Sequence, residues 1–334
     1  MRAAASRERP EPSPARITRR AAVLALPACA ALAQPRWAPT REVRLLTGFP
    51  PGGTTDIVAR LLAEALRPRL PQPVVVDPRP GANGFVAAAA ALRAPPDGHA
   101  LFLAQLGILS IGPALPGTSP PEGIEALLPL GAVAGTPMVL VARPGAPFTN
   151  LDGLLAAARA KPGGLTYGSA GIGSVNHLAM ERFARVAGVS LLHVPYRGGA
   201  AAALDLQAGR VDAMMANLAE SLAPLAERRI SPLALAGEAP SAVLPDVPLL
   251  RDRFPDLSVL NWFGVFAPPG LDDAVRATWS ALVSDAMASP GVRSAFVSRA
   301  LEPLDEDGDT LGHRVRAERA IWARLALEAG IRAE

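Results

Sequence analysis

The stretch Arg44-Leu45-Leu46-Thr47-Gly48-Phe49-Pro50-Pro51-Gly52-Gly53-Thr54-Thr55-Asp56-Ile57-Val58-Ala59-Arg60 reads as a strand, a loop and a helix in succession. Residues 44–47 suit a short strand. From Thr55 to Leu70 the apolar residues Ile57, Val58, Leu61, Leu62, Ala65 and Leu66 recur at helical spacing. Between the two, Gly52 and Gly53 let backbone approach a ligand closely. Thr54, Thr55 and Asp56 supply cap-type side chains where the first helical N–H groups lack partners. Such a terminus favours an anion, because oriented donors and the helix dipole act in the same direction. The same residues also suit an ordinary capped corner, so on their own they define local fold rather than a ligand.

Outward from this corner the pattern repeats. Pro73 to Val76 is a second strand, the turn Asp77 to Gly84 leads into an Ala-rich helix ending at Arg93, and Ala100 to Ala104 is a third strand. Two strand–helix–strand crossovers predict parallel strands with helices on both faces of an open α/β sheet. Pro137 to Ala142 reads as a strand crossing into a second domain. There a helix from Asn150 to Ala160 precedes the strand Leu165 to Tyr167, the loop Gly168 to Ser174 and a helix from Val175 to Val186. His193 to Tyr196 then leads through Arg197-Gly198-Gly199 into a helix from Ala200 to Ala208, with the strand Val211 to Met215 after it. Leu257 to Ala267 reads as the strand crossing back, and Leu271 to Gly330 is helical with breaks at Pro290-Gly291 and Pro303. Three strand–glycine loop–helix corners point to a ligand crevice at the carboxyl ends of strands.

The 334 residues, half of them hydrophobic, are enough for one large or two medium domains with real cores. Residues 1–33 read as an export signal, with Arg16, Arg19 and Arg20 before the apolar run Ala21 to Ala33 and an Ala31-Leu32-Ala33 cleavage site. Thr18-Arg19-Arg20 also fits a twin-arginine signal, and Leu26-Pro27-Ala28 before Cys29 a lipoprotein signal in which Pro27 is a poor fit. Taking the six arginines and two glutamates of residues 1–33 from the 33 basic and 30 acidic residues leaves 27 and 28, a net charge of −1. That balance gives no argument for nucleic acid. The only cysteine, Cys29, falls in the signal, so the mature chain has no disulfide, thiol nucleophile or Cys-ligated metal.

No enzymatic motif is complete. Gly52-Gly53-Thr54 lacks the lysine of a phosphate loop, and Gly171-Ile172-Gly173-Ser174-Val175-Asn176 has Asn where a dinucleotide fingerprint needs its third Gly. Neither Ser169 nor Ser174 sits in a G-x-S-x-G elbow. Ser174 and His177 are three residues apart and within reach, an arrangement that a helix-capping serine explains more simply. His99, His177, His193 and His313 have no metal-ligand spacing, so no metal and no cofactor is expected. What remains is binding chemistry. Thr54, Thr55, Ser169, Ser174 and the loop amides are neutral donors suited to carboxylate oxygens, Tyr167 and Tyr196 offer ring surface with a hydroxyl, and Arg197 is a possible carboxylate partner. Asp56 reads as a helix-start residue that orients donors, and Trp262 and Phe263 as either cleft wall or core.

Several segments recur in an order that carries a family resemblance: Phe49 to Asp56, Val74 to Gly84, Pro96-Asp97-Gly98-His99, Tyr167-Gly168-Ser169, His177-Leu178, Val194 to Gly199, Leu244 to Pro248 and Trp262-Phe263-Gly264. From Arg41 to the C-terminus the chain resembles the extracytoplasmic solute receptors of tripartite tricarboxylate transporters, the Bug-type proteins. It departs from them at Ala104-Gln105-Leu106-Gly107-Ile108, where a small Gly/Ser/Thr-rich turn is usual, at Pro116 to Pro121, and at Ala216, where a carboxylate is common.

The resemblance implies an α/β, two-domain periplasmic binding protein of the Venus-flytrap, type II-like kind, with the ligand in the interdomain cleft. The expected lobes are residues 41–138 with 262–334, and 139–261. The expected ligand residues are Phe49, Gly52, Gly53, Thr54, Thr55, Asp56, Gln105, Tyr167, Ser169, Gly171, Ser174, His177, Tyr196, Arg197 and Asn217. The implied function is capture of a small organic acid, a di- or tricarboxylate or a related carboxylate, by a monomeric, non-catalytic periplasmic receptor that delivers it to a membrane permease. A ligand-sensing subunit for a membrane kinase is the alternative, and an exported hydrolase using Ser169 or Ser174 with His177 is a third, remoter one.

Overall fold

Val43, Leu45 and Leu46 are buried in the first strand, β1 (Val43–Thr47), of a computed structural model that describes residues 37–332. The expected export signal and Cys29 lie outside the described residues. Helix α1 (Thr54–Leu66) follows, and it buries Val58, Ala59, Leu62, Ala65 and Leu66 on one face. It stops four residues short of the sequence expectation: Arg67–Arg69 turns as a 3-10 helix around Pro68, which has no N–H to continue the ladder. Strand β2 (Val74–Pro78), helix α2 (Phe85–Leu92) and strand β3 (Ala100–Gln105) complete the two crossovers. Both β2 and β3 pair with β1 in parallel, as the alternation predicts.

After β3 the chain makes a buried π-helical turn over Gly107–Ile111 and a short helix, α3 (Gly112–Ala114). Gly48 and Gly84 pass each other beneath Ile108: a Cβ on Gly48 would lie 2.7 Å from the Gly84 Cα and 2.9 Å from Ile108 Cδ1. Gly48→Ala therefore forces backbone apart in a packed region and is expected to cost about 1–3 kcal/mol, the range for overpacking. A lowered denaturation midpoint at unchanged slope would show it.

Strand β4 (Leu128–Ala142) is 15 residues long, far beyond the expected Pro137–Ala142 segment. Pro129, Gly131, Gly135 and Pro137 disguise its first half as loop. Residues 128–137 pair antiparallel with a later strand, whereas Met138–Ala142 pairs with two others, so β4 runs from one part of the sheet into another. Pro137, with no ladder donor, sits at this handover.

The second part comprises α4 (Leu151–Ala160), β5 (Thr166–Ser169), α5 (Val175–Ala187), β6 (Leu192–Pro195), α6 (Gly199–Gln207), β7 (Ala213–Asn217), α7 (Leu218–Ala226), β8 (Ser231–Leu235) and α8 (Leu250–Arg253). Strand β9 (Leu260–Ala267) then rejoins the first part between β3 and β4, antiparallel to both. Helices α9 (Asp273–Ala288) and α10 (Pro290–Val297), strand β10 (Glu302–Pro303) and helix α11 (Gly308–Ala329) finish the chain. The strand order is β2-β1-β3-β9-β4-β7-β5-β6, with β8 and β10 also on β4. Trp262 and Phe263 on β9 are fully buried and belong to the core. Corners β1–α1, β5–α5 and β6–α6 thus stand at carboxyl ends of parallel strands.

Candidate functional site

The three corners meet. Gly53, Thr54 and Thr55 at the start of α1, Ser174, Val175 and Asn176 at the start of α5, and Gly198 to Ala201 at the start of α6 line one cavity, together with Phe49, Pro50, Gln105, Ala170, Arg197, Asn217 and Glu220. Its volume is about 90 Å³. A second, more open chamber of about 530 Å³ shares Phe49, Pro50, Ala170 and Arg197 with it and adds Asn83, Gly171 and Tyr196 among its walls. Each helix start contributes amides with no acceptor inside the helix, so positive potential converges on a single space. At α5 the Ser174 hydroxyl accepts from the His177 amide at 3.3 Å, whereas α6 begins at Gly198 with no side-chain cap.

Glu220 changes the character of the α1 corner. Sequence reasoning gave this corner its own cap-type side chains; in the structure Gly53 is the cap residue and makes no side-chain cap bond. Instead Glu220, on α7, reaches across: its Oε2 accepts from the Thr54 amide and the Thr54 hydroxyl, each at 3.1 Å, and its Oε1 accepts from Asn217 Nδ2 at 3.4 Å. Burial pushes the Glu220 carboxyl above its ordinary range, and the bonds from Thr54 and Asn217 pull the other way. Nothing near Thr54 in the sequence announces a partner 166 positions away. Asn217-Leu218-Ala219-Glu220 has the spacing of an N-cap followed by an acidic third helical residue, which reads as a local cap. Asn83 Nδ2, donating to the Gly173 carbonyl at 3.0 Å, is a second bridge between the two sides of the cleft.

The fifteen candidates fall into three groups. Phe49, Gly53, Thr54, Thr55, Gln105, Ser174, Arg197 and Asn217 line the first cavity, and Gly171 and Tyr196 the second. Tyr196 donates its hydroxyl to Asp205 Oδ2 at 2.8 Å, and burial together with that carboxylate pushes its pKa up to about 12. Gly52, Asp56, Tyr167, Ser169 and His177 line neither chamber. Asp56 Oδ2 accepts from the Gly52 amide at 3.1 Å and holds the loop, as its helix-start reading anticipates. Tyr167 is fully buried with its hydroxyl on Glu181, and burial pushes its pKa up.

Ser169 and His177 belong to a buried stack behind the α5 loop. The rings of His177 and His193 lie 4.0 Å apart and nearly parallel, with Tyr167 stacked 4.9 Å from His193. His193 Nε2 is 2.7 Å from Ser169 Oγ, and His177 Nδ1 accepts from the Gly173 amide at 3.2 Å. The capping reading of Ser174 holds, since its hydroxyl accepts from the His177 amide, and the remoter pairing of Ser169 with His177 does not form: His193 is the partner of Ser169. Ser169 has no exposed surface and also bonds to the Gly171 carbonyl at 3.2 Å, so its hydroxyl braces the loop rather than facing the cavity. Burial lowers the pKa of His193 to about 4, and burial with its neighbour His193 lowers that of His177 to about 3, so both are neutral at pH 7. His193 was not singled out in the sequence, because alternation along a short strand carries no trace of its stacking partner.

A mixed sheet whose long strand β4 links two parts, with helix starts gathered at one cleft, defines a solute receptor with the fold of periplasmic binding proteins. The chain belongs to the tripartite tricarboxylate transporter family of receptors, whose family model matches residues 58–331. It is 32% identical over 294 residues to the protein BugT of Bordetella pertussis, covering 87% of this chain and 90% of that one. Among solved structures it is similar to Rpa4515 of R. palustris with adipate, at 31% identity and a TM-score of 0.85, covering 88% of this chain and 99% of that one. It is also similar to MatC (Rpa3494) from Rhodopseudomonas palustris with bound malate, at 28% identity and a TM-score of 0.81, covering 86% and 99% of the two chains. The family consists of periplasmic solute-binding receptors rather than enzymes, which bind small carboxylates and work with tripartite transporters.

Proposed function

We propose that this chain captures a small organic acid in the cavity between the starts of α1, α5 and α6 and delivers it to the membrane permease of a tripartite transporter. The observation that carries the reading is the convergence of three helix N-termini on one cavity, with Arg197 at its wall. Adipate and malate in the similar structures support a carboxylate as the ligand class. The lobes are residues 41–138 with 262–334 and residues 139–261, with β4 running between them. Their closure buries the acid and forms the surface a permease reads. Export uses residues 1–33 as a cleaved signal, and the mature receptor acts as a monomer without catalysis.

Thermal unfolding of residues 34–334 against a panel of small mono-, di- and tricarboxylates tests this. An acid at a hundred times its dissociation constant adds about 2.7 kcal/mol by mass action, a shift of several degrees. Gly53 is extended, with φ −89° and ψ 177°, and accepts a side chain without backbone strain. A Cβ there would lie 3.5 Å from Glu220 Oε2, so Gly53→Val narrows the cavity and is expected to weaken binding by about tenfold or more, roughly 1.4 kcal/mol, in a protein that still folds. Full retention of affinity would remove the assignment of this cavity.

A further inference from the structure

Among the residues lining the first cavity, two side chains are ionisable, Arg197 and Glu220, and they differ in their surroundings. Arg197 is exposed at the mouth, faces both chambers, and makes no ion pair among the described residues. Glu220 is fixed inside. Its Oε2 already occupies the Thr54 amide and hydroxyl, the position an incoming carboxylate would take at the α1 terminus. Its Oε1 has only the long 3.4 Å bond from Asn217, and it faces the start of α6, where a Cβ on Gly199 would lie 3.0 Å away. That oxygen retains acceptor capacity toward the cavity.

One further amide, Gln105, is turned the same way, held by Asn261 behind it. Asn261, fully buried on β9, donates Nδ2 to Gln105 Oε1 at 2.8 Å and to Asn217 Oδ1 at 3.0 Å. With its oxygen held there, Gln105, itself more than nine-tenths buried and lining the cavity, keeps Nε2 without a partner among the described residues. The cavity thus offers donors on the Arg197, α5, α6 and Gln105 sides and one fixed carboxylate acceptor on the α1 side.

Resting on the receptor reading above, the geometry points to Glu220 as the specificity determinant: it fills one anion position with the protein's own carboxylate, so the solute carries a single carboxylate plus an ammonium or amide N–H. The carboxylate binds on the Arg197, α5 and α6 side, and the nitrogen donates to Glu220 Oε1. Zwitterionic amino acids and monoamides of diacids have this chemistry. A dicarboxylate of the same length would set its second carboxylate against Glu220 Oε1, acceptor against acceptor with no donor between them.

Matched probes test the assignment by titration calorimetry: 4-aminobutanoate and succinamate against succinate, and 6-aminohexanoate against adipate, with wild type, Glu220→Gln and Glu220→Ser. The expected result is that wild type prefers the nitrogen-bearing member of a pair by about tenfold or more, the 1.4 kcal/mol of one decade. Both variants, still folded by their melting curves, should shift that ratio by at least about tenfold toward the dicarboxylate. Dicarboxylates binding wild type as well as their partners do, or a ratio that Glu220→Gln and Glu220→Ser leave unchanged, would overturn the assignment while leaving the receptor reading intact. An equal gain for every acid in the variants would also overturn it, since Glu220 would then be a mere competitor for the α1 terminus. Absence of binding by both members of every pair, in wild type and variants alike, would remove the carboxylate-receptor reading and this inference with it.

Discussion

Trp262→Ala is expected to destabilise the protein by about 3–5 kcal/mol, the range for deleting a large buried aromatic side chain. Trp262 has no exposed surface and lies on β9 opposite Gly135 of β4, close to the point where β4 passes into the other part of the sheet. Its Nε1 also donates to Glu318 Oε2 at 2.6 Å, and Arg314 holds the other oxygen of that carboxylate at 3.3 Å. Burial pushes the Glu318 carboxyl up, so removing the indole leaves a poorly solvated acceptor short of a donor. Trp262→Phe separates the two contributions: it retains most of the packing and is expected to cost about 1–3 kcal/mol for the orphaned carboxylate. Denaturant unfolding reads both variants, and a loss under about 1 kcal/mol for Trp262→Ala would mean that the β4–β9 seam can repack around the gap.

Acidification is expected to act almost as strongly, through the stacked histidines. Both rings are neutral in the fold, with pKa values lowered from 6.5 to about 3 for His177 and about 4 for His193. As pH falls below 6.5 the unfolded chain therefore takes up protons that the fold refuses. The stability they contribute is complete above about pH 6.5 and drains away toward pH 3, the lower of the two folded pKa values. At pH 5 the linkage amounts to about 2 kcal/mol for His177 and somewhat less for the partly exposed His193, about 3 kcal/mol together. In a chain of this size that lowers the melting temperature by roughly 5 °C between pH 7 and pH 5. Replacing both histidines by glutamine should flatten the profile over that interval. A wild-type profile already flat there would mean that both rings take up protons in the fold as readily as in the unfolded chain. Gly173, whose amide bonds to His177, and Ser169, paired with His193, belong to the loop that precedes α5, so acid loosens the cavity wall from behind.

Local order was legible in the sequence where a single period or a short turn governs it. The corners β1–α1, β5–α5 and β6–α6 each announce themselves by a short strand, glycines and a change to helical spacing, and all three bring their helix starts to one cavity. Strand β4 was only partly legible, because two prolines and two glycines interrupt a segment that tertiary pairing nevertheless holds extended from Leu128 to Ala142. Trp262 and Phe263 could be read as wall or core, and only the burial of both faces of β9 decides for core. What the sequence withheld altogether are contacts between distant segments: Glu220 on Thr54, Asn261 between Gln105 and Asn217, and His193 on Ser169. Each joins polar residues that look unremarkable in their own neighbourhoods, since hydrogen-bond partners 24 to 166 positions apart leave no periodicity to detect.

A crystal structure of the mature chain with the acid that raises its melting temperature most is the decisive experiment. It is expected to show the acid in the cavity lined by Thr55, Ser174, Gly199 and Arg197, with a carboxylate within hydrogen-bond distance of the first amides of α5 or α6. The acid bound elsewhere on the protein, with this cavity holding only water, would contradict the assignment of the receptor site to the meeting point of the three helices.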